Sequence, residues 1–435
     1  MLNKKLGNIF KGDKVIWMVF FFLCIISVIE VFSASSQLGY KNGSYFSPVI
    51  KHLGILLMGI CCMIVTLNIK CKFFKIITPF LLIVSVATLV LVKFVGEDIN
   101  GGSRWIAIFG FTFQPSEIAK GTIVLACAQI FSAMQTENGA DRKAFKYVLW
   151  LCAIIIPLIM LENLSTAGLL FLVVVLMMFV CRVPISQIGR LLGVTAAAGI
   201  LGIALIMLVG KDKSADMGNN KMTEQIVVAP SQPTALSKIF HRFDTWKSRI
   251  EKFNDSKKDV APKDVDLDKD AQPAHANIAI ASSNGVGVGP GNSVERDFLS
   301  QAFSDFIYAI IIEEMGFPGA LFVALLYIIL LVRTGVIAGR CENNFPAFLA
   351  MGLALLLVTQ ALFNMCVAVG IVPVTGQPLP LISKGGTSTI INCVYIGVIL
   401  SISRSAKKKG HPLKRPWSKV PYWPERQINE RKVAQ

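Results

Sequence analysis

Charge is what this sequence has least of: 16% of its residues are charged, where soluble domains carry about 25%. With 54% of 435 residues hydrophobic, it has more apolar surface than a water-soluble core can absorb. A soluble globular fold is excluded, and the bilayer must act as solvent for most of the chain. Chemical signatures are missing too. The ten cysteines (Cys24, Cys61, Cys62, Cys71, Cys127, Cys152, Cys181, Cys341, Cys366 and Cys393) lie in apolar stretches or short connections beside them, and the polar stretch 211–304 has none. No pair has metal-ligand context, so neither a disulfide framework nor a zinc site is indicated. Gly285, Gly287, Gly289 and Gly291 form a flexible, turn-rich run. They lack the following Lys-Ser/Thr of a Walker loop and the flanking strand and helix of a dinucleotide fingerprint. No internal repeat and no aromatic-interleaved basic groove is visible. The net charge of +16 therefore does not point to nucleic acid. Its Lys and Arg sit in short connections between apolar stretches and in the C-terminal tail, where membrane topology puts them.

What is present is a succession of apolar stretches, at about 15–33, 48–68, 76–95, 116–135, 191–210, 306–332, 345–370 and 386–403. The stretch 147–181 is too long for one span. Pro157 and Glu162-Asn163 break it, so it reads as two spans meeting near 162–166. The expected fold is all-α and polytopic, with about ten transmembrane helices. Spans 1–7 occupy 15–210 and spans 8–10 occupy 305–403, with a large extracytoplasmic loop, 211–304, between spans 7 and 8. Residues 1–14 and 404–435 form cytoplasmic tails. The orientation follows from charge: Lys70, Lys72, Lys75, Arg142, Lys143, Lys146, Arg182, Arg190, Arg333, Arg340 and both tails then share the cytoplasmic side. The N-terminus, with Lys4, Lys5, Lys11 and Lys14 before an apolar run, resembles a signal peptide, but so many apolar stretches follow that an uncleaved first span is expected.

The loop has distinct parts. Leu236, Ile239, Phe240, Phe243, Trp246, Ile250 and Phe253 recur at helical spacing, with Lys238, Arg242, Lys247, Arg249 and Lys252 between them. That describes a helix over about 234–253, lying in the membrane interface or packed on the outer ends of the spans. Residues 255–273 mix both charges with almost no apolar content and read as a disordered insert.

Ionisable groups within or at the ends of spans are costly and point to function. Four places stand out, all on the outer side. Gly102-Ser103-Arg104-Trp105 is followed by Gln114 to Lys120, where Ser116 can cap a helix and Glu117 and Lys120 share a face of its first turn. These form either a salt bridge at the helix mouth or, with Arg104, a phosphate site. Asp305 stands where the loop becomes an apolar helix, as a cap or a site residue. Glu313 and Glu314 lie two turns deeper and are expected to pair with other spans. Leu161 to Ala167 is a polar break, and Pro373 to Ser388 is rich in Pro, Gly and hydroxyls. Such breaks survive at membrane depth when buried in protein or lining a wet cavity. Together they suggest an outward-facing polar cleft.

The blocks GSRWIAIFGFTFQPSEIAK (102–120), GVGPGNSVERDFLSQAFSDFIYAIIIEEMG (287–316) and GQPLPLISKGGTSTIINCVYIGVILSISR (376–404), with ENLSTAG (162–168), resemble the SEDS family (shape, elongation, division and sporulation), which contains FtsW, RodA and SpoVE. The ISK-GG-TS end and the basic tail look more like FtsW than RodA. The resemblance implies a glycosyltransferase of the bacterial plasma membrane that polymerises lipid II, a disaccharide-pentapeptide on undecaprenyl diphosphate, in cell division. It implies class B penicillin-binding protein and other divisome membrane proteins as partners. Asp305 corresponds to the catalytic aspartate, and Arg104, Glu117 and Lys120 to the important residues of the first block. Arg242, Ser383 and Lys384 are further candidates for holding substrate. No resident cofactor is implied; a divalent cation at the diphosphate is possible chemistry. The chain departs from the family where relatives read P-D-x-G-T: it has Glu162-Asn163-Leu164-Ser165-Thr166, and no role is transferred to Asn163. Lys384 replaces the usual tyrosine before Gly-Gly. Competing readings are a lipid II flippase and a non-catalytic scaffold of the division machinery.

Overall fold

The computed structural model describes residues 11–35, 46–99, 102–108, 111–137, 139–209, 247, 271–299 and 302–406. Arg242, the stretch 234–253 apart from Lys247, most of the 255–273 insert and the tail beyond 406 lie outside the described residues.

Eleven α-helices are found among the described residues. They are α1 (Lys14–Ala34), α2 (Ser47–Asn68), α3 (Cys71–Val95), α4 (Pro115–Ala133), α5 (Arg142–Glu162), α6 (Leu164–Val180), α7 (Ile185–Val209), α8 (Ala271–Ser282), α9 (Ile307–Ala338), α10 (Asn344–Ala368) and α11 (Thr387–Ser405). All but α8 fall on the ten apolar stretches. Eight are long and apolar enough to cross a bilayer by length and composition alone. Of the other two, α6 has 17 residues and α4 carries Glu117 and Lys120 in its first turns.

Local chemistry sets the boundaries. The Asp13 carboxylate accepts from the N–H of Val15 (3.0 Å) and of Ile16 (3.4 Å), opening α1. Pro48 and Pro115 stand in the first turns of α2 and α4, where a missing N–H costs nothing. The stretch 147–181 divides into two helices that meet at 162–164, as expected. α5 continues through Pro157 to Glu162, and the break comes at Asn163, whose side chain accepts from Ser165 N–H at 3.0 Å and Thr166 N–H at 3.4 Å. A correction concerns the insert. α8 begins at Ala271, inside the last three residues of the segment expected to be disordered. Its sequence AQPAHANIAIAS is alanine-rich, with Pro273 confined to the first turn. Short strands, unseen in the apolar pattern, precede α4: β1 (Glu97–Ile99), β2 (Gly102–Ile108) and β3 (Phe111–Phe113) pair antiparallel in that order.

α10 forms the centre of the bundle, packed on α9, α4, α6 and α11. α11 lies along α2 so closely that a Cβ on Gly397 would collide with Thr66 and the Met63 backbone, the small-residue contact by which membrane helices approach. The peripheral helices turn apolar side chains outward, among them Phe94 (82% exposed), Ile83 (70%) and Trp150 (71%). In water such a surface would aggregate; hydrocarbon solvates it.

Candidate active site

Asp305 lies half-buried in the turn that leads into α9. The irregular segment 373–386, between α10 and α11, runs beside this turn. Lys384 N–H donates to the Phe303 carbonyl at 2.9 Å, and Ser383 Oγ donates to the Ser304 carbonyl at 2.6 Å. A Cβ placed on Gly376, whose φ is +72°, would stand 3.5 Å from Asp305 Oδ2. Ser304 Oγ donates to Asp305 Oδ1 at 2.9 Å, and Asn364 Nδ2 on α10 donates to the Asp305 carbonyl at 2.8 Å. The carboxylate is thus oriented by its neighbour while its backbone is fixed from the bundle core.

Segment 373–386 lacks a helix to satisfy its peptide groups, so side chains from surrounding helices do it. Gln360 Nε2 donates to Pro378 O (3.0 Å), Asn364 Nδ2 to Gln377 O (2.7 Å) and Ser27 Oγ to Ile382 O (2.7 Å). Tyr327 donates to Pro380 O. Gln377 Nε2 in turn reaches Thr166 Oγ1 at 2.7 Å, joining the segment to the Asn163 break.

One turn along α10 from Asn364, about 6 Å, stands Gln360. Lys120 Nζ donates to its Oε1 at 2.8 Å and lies 2.8 Å from Glu117 Oε1. Lys120 is 1% exposed and Glu117 2%. The structure therefore brings Glu117 and Lys120 beneath segment 373–386, turned toward each other. Arg104 lies on β2, which packs on α3, α4 and α5; its side chain lies outside the described part of the chain.

A second cationic feature lies on segment 373–386 itself. The Lys384 ammonium stands 5.0 Å over the Phe303 ring. Burial, and secondarily the positive charge of Lys51, hold it below the ordinary lysine range. Lys51 is exposed near the start of α2 and sequence reading passed it over. Its neighbour His52 meets Ser27 Oγ at 2.8 Å, the hydroxyl that holds Ile382, so this end of α2 is tied to segment 373–386. Among the described residues neither lysine forms an ion pair.

Glu313 and Glu314 behave differently from the sequence expectation. Among the described residues, Ser33 is the one hydrogen-bond partner of Glu314 from another span, α1; the other hydrogen-bond partners given for the pair belong to the chain before Asp305. Val294 N–H donates to Glu313 Oε1 at 3.0 Å and Gly291 N–H to Glu314 Oε2 at 2.9 Å, and Ser293 Oγ donates to Glu313. The cause lies in α9, which is interrupted at Gly316 (φ 66°, ψ −169°) just before Pro318. Pro318 has no N–H for the Glu314 carbonyl, and Phe317 N–H turns away to Gly285 O (3.0 Å). The two freed carbonyls are taken by the glycine run: Val288 N–H donates to Glu313 O at 2.9 Å and Gly289 N–H to Glu314 O at 2.8 Å. A Cβ on Gly287 or Gly316 would strike the facing backbone. The run is turn-rich as its composition says, but it is pinned rather than free. Nothing in the spacing of the motif announces this; the Gly-x-Pro at 316–318 after a pair of glutamates is the one available signal.

Among the described residues no group of three or more His, Cys, Asp or Glu converges.

The sequence and the fold resemble those of known proteins. A family profile described as "Cell cycle protein" (FtsW, RodA, SpoVE) matches residues 13–408. A protein of Hahella chejuensis named "Probable peptidoglycan glycosyltransferase FtsW" is 30% identical over 392 residues, 88% of this chain and 88% of its own. One of the same name from Coxiella burnetii is 28% identical over 389 residues, covering 88% and 93%. Among solved structures, a chain from a peptidoglycan synthase complex that coordinates polymerization and crosslinking superposes with a TM-score of 0.65 at 21% identity, covering 90% of this chain and 98% of that one. The rod shape determining protein RodA of Thermus thermophilus gives 0.60 at 19% identity, covering 92% and 99%. These structures share the fold, and with the profile spanning nearly the whole sequence, the chain belongs to the cell cycle protein family of FtsW, RodA and SpoVE.

Proposed function

We propose that the protein polymerises lipid II into glycan strands at the outer face of the bacterial plasma membrane, in cell division, with Asp305 as general base. The observation that carries this is the placement of Asp305: its carboxylate is oriented by Ser304 and its backbone carbonyl is held by Asn364, against the segment that presents Lys384. Asp305 takes the proton from the acceptor sugar hydroxyl as that oxygen attacks the anomeric carbon. The new glycosidic C–O bond forms from the face opposite the departing group, and the bond to undecaprenyl diphosphate breaks. The diphosphate is a good leaving group and needs positive charge more than a proton. Lys384 and Lys51, free of ion pairs among the described residues, are the best-placed cations; Arg104 and Arg242 are further ones. Ser383 fixes the position of Lys384. Glu117 and Lys120 hold the floor of the site through Gln360. The printed names of the relatives support the reaction, and the synthase-complex neighbour supports a crosslinking partner, which we take to be a class B penicillin-binding protein.

The orientation rests on charge. Lys70, Lys72, Lys75, Arg333, Arg340 and Arg404 all lie at the end of the bundle away from Asp305, which favours cytoplasmic termini and an outward-facing site. The test is a polymerisation assay with purified protein and lipid II, with and without the partner. Wild type is expected to make glycan strands, and Asp305→Ala none while still binding lipid II and keeping its thermal stability. Normal strand synthesis by Asp305→Ala removes the assignment. Lipid II movement across vesicles without polymerisation by wild type would make the protein a flippase, and neither activity a scaffold.

A further inference from the structure

At the end of the bundle opposite Asp305, the α2–α3 turn, the start of α10 and the end of α11 border an open cavity of about 920 Å³. That is within the roughly 300–1,000 Å³ of small-ligand sites. Lys70, Lys72, Lys75 and Arg404 line it, against one acidic side chain, Glu342. Two helices begin at its wall, α3 after Lys70 and α10 after Asn343, and neither N-cap side chain makes a capping hydrogen bond. Uncapped N–H groups and the positive ends of two helix dipoles therefore adjoin the same space as four cationic side chains. Topology alone explains why basic residues collect at this end. It does not explain why they ring a void into which two helices open.

The position of the cavity says what kind of anion fits. On α3, Phe73, Ile76 and Ile77 are 49%, 71% and 44% exposed, the face a bilayer covers, and they alternate with Lys72 and Lys75. The Lys72 ammonium lies 5.2 Å over the Phe73 ring and that of Lys75 5.6 Å over the Phe345 ring. Their stems follow apolar surface while the charges reach the cavity, as snorkelling lysines do at headgroup depth. We propose that this cavity binds the phosphate headgroup of an anionic phospholipid in the leaflet opposite Asp305, with its acyl chains along the exposed face of α3. The orientation given above makes that leaflet the cytoplasmic one; the binding itself requires only that the bundle lie in a membrane.

The experiment uses the full chain in neutral detergent and reads thermal stability during titration with phosphatidylglycerol, phosphatidylcholine or inorganic phosphate. Phosphatidylglycerol is expected to raise Tm saturably, and the other two are not. In the triple variant Lys70→Gln/Lys72→Gln/Lys75→Gln the apparent affinity for phosphatidylglycerol is expected to fall on the order of 100-fold. Lys143→Gln/Lys146→Gln, with basic residues of the same end on α5 but away from the cavity, is expected to bind as wild type. Should the triple variant fail to fold, Lys75→Gln is expected to weaken binding and Lys75→Arg to retain it. An equal Tm rise with phosphatidylcholine, or in the triple variant, overturns the site. An equal rise with inorganic phosphate overturns the lipid as occupant. The readout is independent of polymerisation, so it stands or falls separately from the enzymatic reading.

Discussion

Asn364 Nδ2 donates to two backbone carbonyls at once, that of Asp305 at 2.8 Å and that of Gln377 at 2.7 Å. One buried amide on the central helix thereby sets the distance between the turn carrying the carboxylate and the segment carrying Lys384. Asn364→Ala is expected to leave both carbonyls short of a donor, costing about 1–3 kcal/mol for each that water does not reach. The carboxylate itself is untouched, so its chemistry remains and only its placement suffers. The kcat for glycan synthesis is expected to fall on the order of 10–100-fold with KM nearly unchanged. A variant that loses stability but keeps full kcat would show that Asn364 holds only the fold.

The Lys384 ammonium makes a prediction about pH. Burial, and then repulsion from Lys51, favour the neutral amine of Lys384, so it releases its proton at a lower pH than an ordinary lysine does. The charge that holds the diphosphate is present below that lowered value and lost above it. KM for lipid II is therefore expected to rise on the alkaline side. Lys384→Arg keeps the charge and is expected to remove that rise. Lys51→Gln takes away the repulsion and is expected to move the rise to higher pH. An unchanged alkaline limb in Lys384→Arg would show that another group titrates there.

How far the sequence carries depends on which interaction decides each element. Apolar length is a local property, so the stretches at 15–33 through 386–403 mark ten helices that the structure places there. The break at Asn163 is visible as polarity, and Pro157 does not end the helix because a helix in a membrane can continue past proline when neighbours satisfy the freed groups. The pairing of Glu117 with Lys120 follows from their spacing on one helix. Their burial under Gln360 does not, since Gln360 is 240 residues away from Lys120. Lys51 was missed for the same reason: alone at the start of α2 it reads as an interfacial lysine, and only the fold sets it beside segment 373–386. α8 escaped because alanine-rich, moderately polar sequence carries no strong period.

The interruption in α9 makes Glu314 a clamp for the chain that leads to Asp305. Its carboxylate accepts from Gly291 N–H at 2.9 Å, and Ser293 N–H approaches it at 3.4 Å. Glu314→Ala leaves the buried Ser293 N–H and the more exposed Gly291 N–H without this acceptor, and Glu314→Gln keeps one carbonyl oxygen for them. The alanine variant is expected to lose about 1–3 kcal/mol of stability and the glutamine variant less, with polymerisation falling in the same order. Hydrogen exchange of residues 285–297 checks the cause: it is expected to speed up in Glu314→Ala and leave α10 protected. Uniformly faster exchange across the bundle would mean general destabilisation instead.

The opposite end of the bundle is closed by Asp13, and acid should open it. Arg333 donates to its carboxylate from Nε (3.0 and 2.9 Å) and from an Nη (2.7 Å), and Ser403 Oγ accepts from the Asp13 N–H at 3.0 Å. One residue so joins the start of α1 to the ends of α9 and α11. Burial pushes the Asp13 carboxyl upward, but the Arg333 fork and the N–H groups of Val15 and Ile16 outweigh it and leave it below the usual carboxylate range. Because the folded value is the lower one, the contribution to stability is complete above the unfolded value, about 4, and is lost as pH falls through the folded value. At pH 7 Asp13→Asn is expected to cost roughly 1–2 kcal/mol through the weakened cap and the lost ion pair. Other carboxylates titrate over the same range, so the informative quantity is the gap between the two Tm curves. That gap is expected to be widest at neutral pH and to narrow steadily toward pH 3. A gap that stays constant on acidification would show that Asp13 acts as an uncharged cap and that Arg333 contributes nothing.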